Sequence, residues 1–269
     1  MSDRGENSFT IEAAGHRLRA RRIGEAAAPD VPTLVFLHEG LGSIGQWRGV
    51  PEDLCRLTGL PGLVYERWGF GQSEKLKLPR PKDYMTREAE QALPDVLRAC
   101  AVQRPILIGH SDGGSIALLY AAAFPHAVAA CISIAAHVFV EDETIRGIRE
   151  VVARWDSGDL KPRLARYHGD NTDAMFRGWA ETWLRADFRD WNIEACLSRI
   201  LCPTLIVQGE KDEHATLAQV DAIAGSVSGL AETYVVPGVG HSPHLEAREP
   251  MLTHMAAFIA THVGTGPGN

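Results

Sequence analysis

The chain has 269 residues, 45% hydrophobic and 23% charged, the make-up of an ordinary globular protein long enough to bury roughly three quarters of the surface its unfolded form exposes. Its 27 basic and 34 acidic residues leave a formal net charge of −7, which excludes the basic field that a nucleic-acid backbone demands. The polar start, the longest apolar run at 116–124, and five cysteines (Cys55, Cys100, Cys131, Cys196, Cys202) with no C-x-x-C pair suggest neither signal peptide, membrane span, disulfide framework nor zinc knuckle, so the expectation is a cytoplasmic protein with buried thiols.

Residues 8–24 alternate as a β-strand does and put Arg17, Arg19 and Arg21 on one face, read as a solvated outer face in preference to an anion-binding stripe. From residue 33 the pattern changes to short continuous apolar runs at 33–37, 62–65, 105–108, 127–135, 203–207 and 232–236. Runs of that length and purity suit strands covered on both faces. Helical patterns fall between and after them, at 47–57, 84–101, 114–123, 217–227 and 250–262. The alternation predicts an α/β fold, a mostly parallel central sheet with helices on both faces.

One stretch interrupts the rhythm. Residues 137–199 hold several helical patterns and no convincing strand, and so long a loop without structure is implausible. It reads as a helical cap inserted into a core made of 1–136 and 200–263, with 264–269 a disordered tail. The insertion carries Trp155, Trp179, Trp183 and Trp191; most of these aromatics are expected to form its own core and the rest to line a pocket.

The residues with the clearest chemistry are Gly109-His-Ser111-Asp-Gly113, which follow a buried-type strand and open an apolar helix. A serine on such a strand-turn-helix is a nucleophile elbow, with its hydroxyl clear of the sheet at a helix N-terminus, where N–H groups favour developing negative charge. A serine hydroxyl needs a base, usually a histidine oriented by a carboxylate. Asp212 follows the strand at 203–207 and His241 follows the strand at 232–236, so both stand at the same sheet edge as Ser111. His244, Glu210 and Glu213 are the rivals; Asp221 falls inside a helical pattern. No H-E-x-x-H or other compact ligand group suggests a metal.

With these three residues in the order Ser, Asp, His, the chain resembles the α/β-hydrolase superfamily from about residue 8 to 263. The resemblance implies that the loop His38-Glu39-Gly40-Leu41-Gly42 supplies the backbone N–H of Gly40 to an oxyanion hole, joined by that of Asp112, with Leu41 as the alternative donor. Arg67-x-Gly69-x-Gly71-x-Ser73 is also similar to a stretch usual in that family. Glu39 stands where the family usually has glycine, and a carboxylate there opposes an oxyanion unless it is tied up or turned away.

The implied activity is that of a serine hydrolase resembling enol-lactone hydrolases and carboxylesterases. It needs no cofactor and acts on a small ester, lactone or thioester with an apolar or aromatic part. Glu39, Leu41, Trp155, Trp179 and Trp183 are the candidates for its substrate pocket. Three other readings stay open: a C–C bond hydrolase of aromatic catabolism, a non-catalytic ligand receptor on the same scaffold, and a dinucleotide-binding oxidoreductase. The last rests on Gly40-x-Gly42-x-x-Gly45 after a strand, with Glu66 at the end of the next.

Overall fold

The computed structural model describes residues 7–25, 28 and 30–263; the tail expected at 264–269 lies outside them. The chain opens with β1 (Ser8–Ala13) and β2 (His16–Ile23), an antiparallel hairpin. What reads in sequence as one alternating stretch is folded back at Ala14 and Gly15, both at positive φ, the backbone that a two-residue hairpin turn requires. Arg17 is exposed, as expected of an outer face, whereas Arg19 and Arg21 are half-buried and Arg21 pairs with Glu52.

After the hairpin come β3 (Thr33–Leu37), α1 (Val50–Thr58), β4 (Gly62–Tyr65), α2 (Tyr84–Arg87), α3 (Leu93–Ala99), β5 (Pro105–His110), α4 (Asp112–Ala123) and β6 (Ala130–Ile134). Then follow α5 (Asp142–Asp156), α6 (Lys161–His168), α7 (Thr172–Trp183), α8 (Glu194–Leu197), β7 (Thr204–Gly209), α9 (Ala218–Ser226), β8 (Ala231–Val236), α10 (Pro243–Glu246) and α11 (Arg248–His262). The eight strands form one sheet in the order β1-β2-β4-β3-β5-β6-β7-β8, parallel from β4 onward. This is the mostly parallel α/β sheet with helices on both faces.

Successive residues of a strand face opposite sides, and here both sides are apolar. Val35, Leu37, Leu63 and Leu107 pack with α3, α4 and the insertion, whereas Leu34, Phe36, Val64, Ile106 and Ile108 pack with α1 and α11. Each of these side chains, fully buried, stabilises the fold by roughly 1.5–3 kcal/mol relative to exposure.

Three local expectations are corrected. The run at 232–236 is not covered on both faces: β8 is an edge strand whose Ala231 and Thr233 are exposed. The helix expected from 47 begins at Val50, because Ile44–Trp47 is a 3-10 turn and Pro51, lacking an N–H, fits only the first helical turn. The helix expected over 84–101 is opened by a π-helical segment at Glu88–Ala92, where Pro94 has no N–H to return to the preceding turn.

Candidate active site

Strand β3 lies between β4 and β5, so the strand order reverses there, and the loops after β3 and β5 open at the crevice where α/β sheets hold their ligands. Ser111 sits in the turn from β5 to α4 with φ 53 and ψ −118, a conformation rare for a residue with a side chain and held by its surroundings. Its N–H donates to Ile134 O at 2.8 Å. The flanking glycines are steric necessities: a Cβ on Gly109 would stand 2.1 Å from Gly113 O, and one on Gly113 would stand 2.0 Å from Leu37 O.

Asp212 and His241 meet at the same edge. His241 Nδ1 lies 2.9 Å and 3.0 Å from the two carboxylate oxygens of Asp212. His214 N–H also donates to Asp212 Oδ1, at 2.8 Å, and the His241 carbonyl accepts from His110 Nε2 at 2.8 Å. The imidazole of His241 is buried among His214, His137 and His244, and burial first, then these rings, pull its pKa well below the ordinary histidine value. Burial raises the Asp212 carboxyl. Ser111 and His241 line one cavity without a hydrogen bond between them; such contacts are often long before substrate binds.

The rival residues are otherwise engaged. Glu210 accepts from Gly238 N–H, Glu213 accepts from the backbone N–H of His241, and Asp221 is inside α9. His244 packs against Trp47 and His110 and lines a separate cavity behind the histidines.

The loop after β3 is clamped from below. Arg67 donates its N–H to His38 Nε2 at 3.1 Å and its guanidinium to the carbonyls of His38 and Glu39 at 3.2 and 2.9 Å. Glu39 is tied up: its Oε2 accepts the N–H of Leu41 at 2.5 Å, which withdraws the alternative oxyanion donor, while the N–H groups of Gly40 and Asp112 have no protein acceptor among the described residues. Burial raises the Glu39 carboxyl to about 7, and Asp112 adds to the shift. A Cβ on Gly40 would stand 2.3 Å from Trp179 Nε1, so the ring covers that residue. The same covering removes the space a pyrophosphate needs, and Glu66 is held inside by the N–H groups of Ile44 and Gln72, which weighs against a dinucleotide loop.

The cavity around Ser111 has a volume of about 70 Å³; its floor is Glu39, Gly40, Leu41, Ser111, Asp112 and His241, and its roof includes Ile148, Val151, Trp179 and Trp183 of the insertion. Trp155 is a correction. It stacks on Phe176 with centroids 3.9 Å apart and is not among the residues that line this cavity. Trp191 packs on Phe188 and Trp183, within a core that is continuous with the sheet. His137, Thr144 and His214 also line the cavity and escaped the sequence reading. His137 follows β6 and His214 shares a loop with Asp212, so position after a strand was the available signal.

The family model of the alpha/beta hydrolase fold matches residues 32–195, more than half the chain. The chain belongs to the α/β-hydrolase family. Among curated relatives of this α/β-hydrolase is the serine hydrolase BPHL of Homo sapiens, 33% identical over 192 residues, which are 68% of this chain and 64% of that protein. The enol-lactonase from Burkholderia xenovorans LB400 superposes with a TM-score of 0.70 at 18% identity, over 94% of this chain and 100% of the other. The meta-cleavage product hydrolase from Pseudomonas fluorescens IP01 does so with a TM-score of 0.70 at 15% identity, over 95% and 98%. At those identities both structures speak for the fold of this α/β-hydrolase alone. Among its described residues no helix is long and apolar enough to cross a membrane.

Proposed function

We propose that the protein is a serine hydrolase of small carboxylic esters, lactones or thioesters, working through an acyl-enzyme on Ser111 in the cytoplasm. The observation that carries this reading is the convergence of a strained Ser111 and an Asp212-oriented His241 on one cavity. In the proposed reaction His241 Nε2 takes the Ser111 proton as Oγ attacks the carbonyl, Asp212 stabilises the imidazolium on Nδ1, and the N–H groups of Gly40 and Asp112 hold the oxyanion. The proton then passes to the leaving group. A water, deprotonated by His241, attacks the acyl carbonyl, and the proton passes from His241 to the departing Ser111 Oγ as the ester bond breaks. Trp179, Trp183, Ile148 and Val151 suit a substrate with an apolar or aromatic part.

A fluorophosphonate tests the whole arrangement, because it reacts only where a base and an oxyanion hole activate the serine. We expect label on Ser111 and none on the folded Ser111→Ala variant. A wild-type chain that stays unlabelled favours a ligand receptor, and one that NAD stabilises against heat favours the dinucleotide reading.

A further inference from the structure

On the far side of Tyr84 from Ser111 lies a cleft of about 160 Å³, more than twice the volume of the cavity just described. It runs between the turn of the β1–β2 hairpin and the helical stretch from Tyr84 to Ala92. Tyr84 is the partition: its hydroxyl donates to Asp112 Oδ2 at 2.6 Å and accepts from Trp183 Nε1 at 3.1 Å.

Arg80 lines this cleft and is only 6% exposed. Buried charges are ordinarily paired, yet among the described residues no carboxylate forms an ion pair with it. Its guanidinium has one long hydrogen bond, from Nη2 to Trp68 O at 3.5 Å, and its Nε is enclosed without a partner. Phe70 and Tyr84 lie 4.9 and 5.1 Å from it, ring centroid to guanidinium carbon. The other ionisable side chains lining the cleft have partners. Arg87 pairs with Asp83, His16 with Glu74, and Glu88 accepts the Tyr65 hydroxyl at 2.8 Å. Behind them Arg67 faces Asp112. Burial and this second guanidinium lower the Arg80 pKa to about 10.

The walls add a shape preference. His16 and Trp68 stack 3.9 Å apart at 5° and, with Ala13, Leu18 and Ala92, give the cleft a flat aromatic side and an apolar floor. A cavity of roughly 150 Å³ is enough for benzene. A planar guanidinium matches a carboxylate in two-point contact, and the Glu88 carboxyl nearby disfavours a dianion.

We propose that this cleft is a second binding site, distinct from the Ser111 cavity, which takes a small monocarboxylate carrying a flat apolar group on Arg80. The probe is benzoate, titrated against the intact chain and followed by tryptophan fluorescence and melting temperature. Benzoate is expected to quench fluorescence and raise the melting temperature, while its neutral isostere benzamide and inorganic phosphate do neither. Arg80→Met should weaken benzoate binding tenfold or more. Trp68→Phe should abolish the quench and keep the thermal shift. The idea is overturned if benzoate has no effect into the tens of millimolar, if benzamide matches it, or if Arg80→Met binds as the wild type does. It is equally overturned if the quench survives Trp68→Phe and vanishes in Trp179→Phe, which would put the carboxylate beside Ser111. Because the benzoate and benzamide comparison uses the unaltered chain, it decides even where Arg80→Met fails to fold.

Discussion

His241 and His244 are three positions apart, and only the first lines the Ser111 cavity. The first faces Ser111 with its Nδ1 on Asp212, while the second faces Trp47 across another cavity. His241→Ala is therefore expected to lower kcat by about a thousandfold or more, and His244→Ala by far less, as read from steady-state rates on a reactive aryl ester. The pH profile follows from two shifted groups. His241 must be neutral to act as base, and its lowered pKa moves the acid limb of kcat/KM below the ordinary histidine range. Glu39, raised to about 7, is neutral below that pH and ionised above it, where its hydrogen bond to the Leu41 N–H offsets only part of the new charge beside the oxyanion. We expect kcat/KM to fall as pH rises through about 7 and the fall to disappear in Glu39→Gln. An alkaline limb unchanged in that variant would remove Glu39 from the account.

At the scale of elements, position just after an apolar run made Ser111, Asp212 and His241 legible in sequence, because the carboxyl end of a strand is the sheet's working edge, while the same position at His137 went unread. The helix boundaries at Pro51 and Pro94 were misplaced because the apolar pattern runs on through both prolines. Trp155, by contrast, was illegible: nothing in the order of residues says that it stacks on Phe176 while Trp179, on the same helix as that phenylalanine, reaches over Gly40. The bond from Tyr84 to Asp112 joins elements 28 positions apart and has no local signature. Two substitutions follow. Trp155→Ala should lower stability by roughly 1–2 kcal/mol, measured by denaturant midpoint, and leave substrate preference alone, whereas Trp179→Ala should change preference across an ester panel. Gly113→Ala drives a Cβ into Leu37 O and should cost about 3 kcal/mol or more, seen as loss of soluble folded protein.

For the molecule as a whole, the sheet separates two cores of different reach. The face bearing Val35, Leu37 and Leu107 is continuous with Ile148, Leu164, Met175, Phe176, Trp179, Trp183 and Phe188 of the 137–199 segment, while the face bearing Leu34, Phe36 and Ile108 closes on α1 and α11 without it. A segment that shares its core with the sheet does not melt as a separate lid. Amide hydrogen exchange under rising denaturant should show α7 losing protection together with α4, in one cooperative unit. Earlier exchange of α7 would mean an independently opening flap. If the two open together, ligand must enter and leave by side-chain movements at the rim, and excising 137–199 would yield an aggregating remnant, with the apolar surface that this segment covers beside α4 left open, instead of a smaller enzyme.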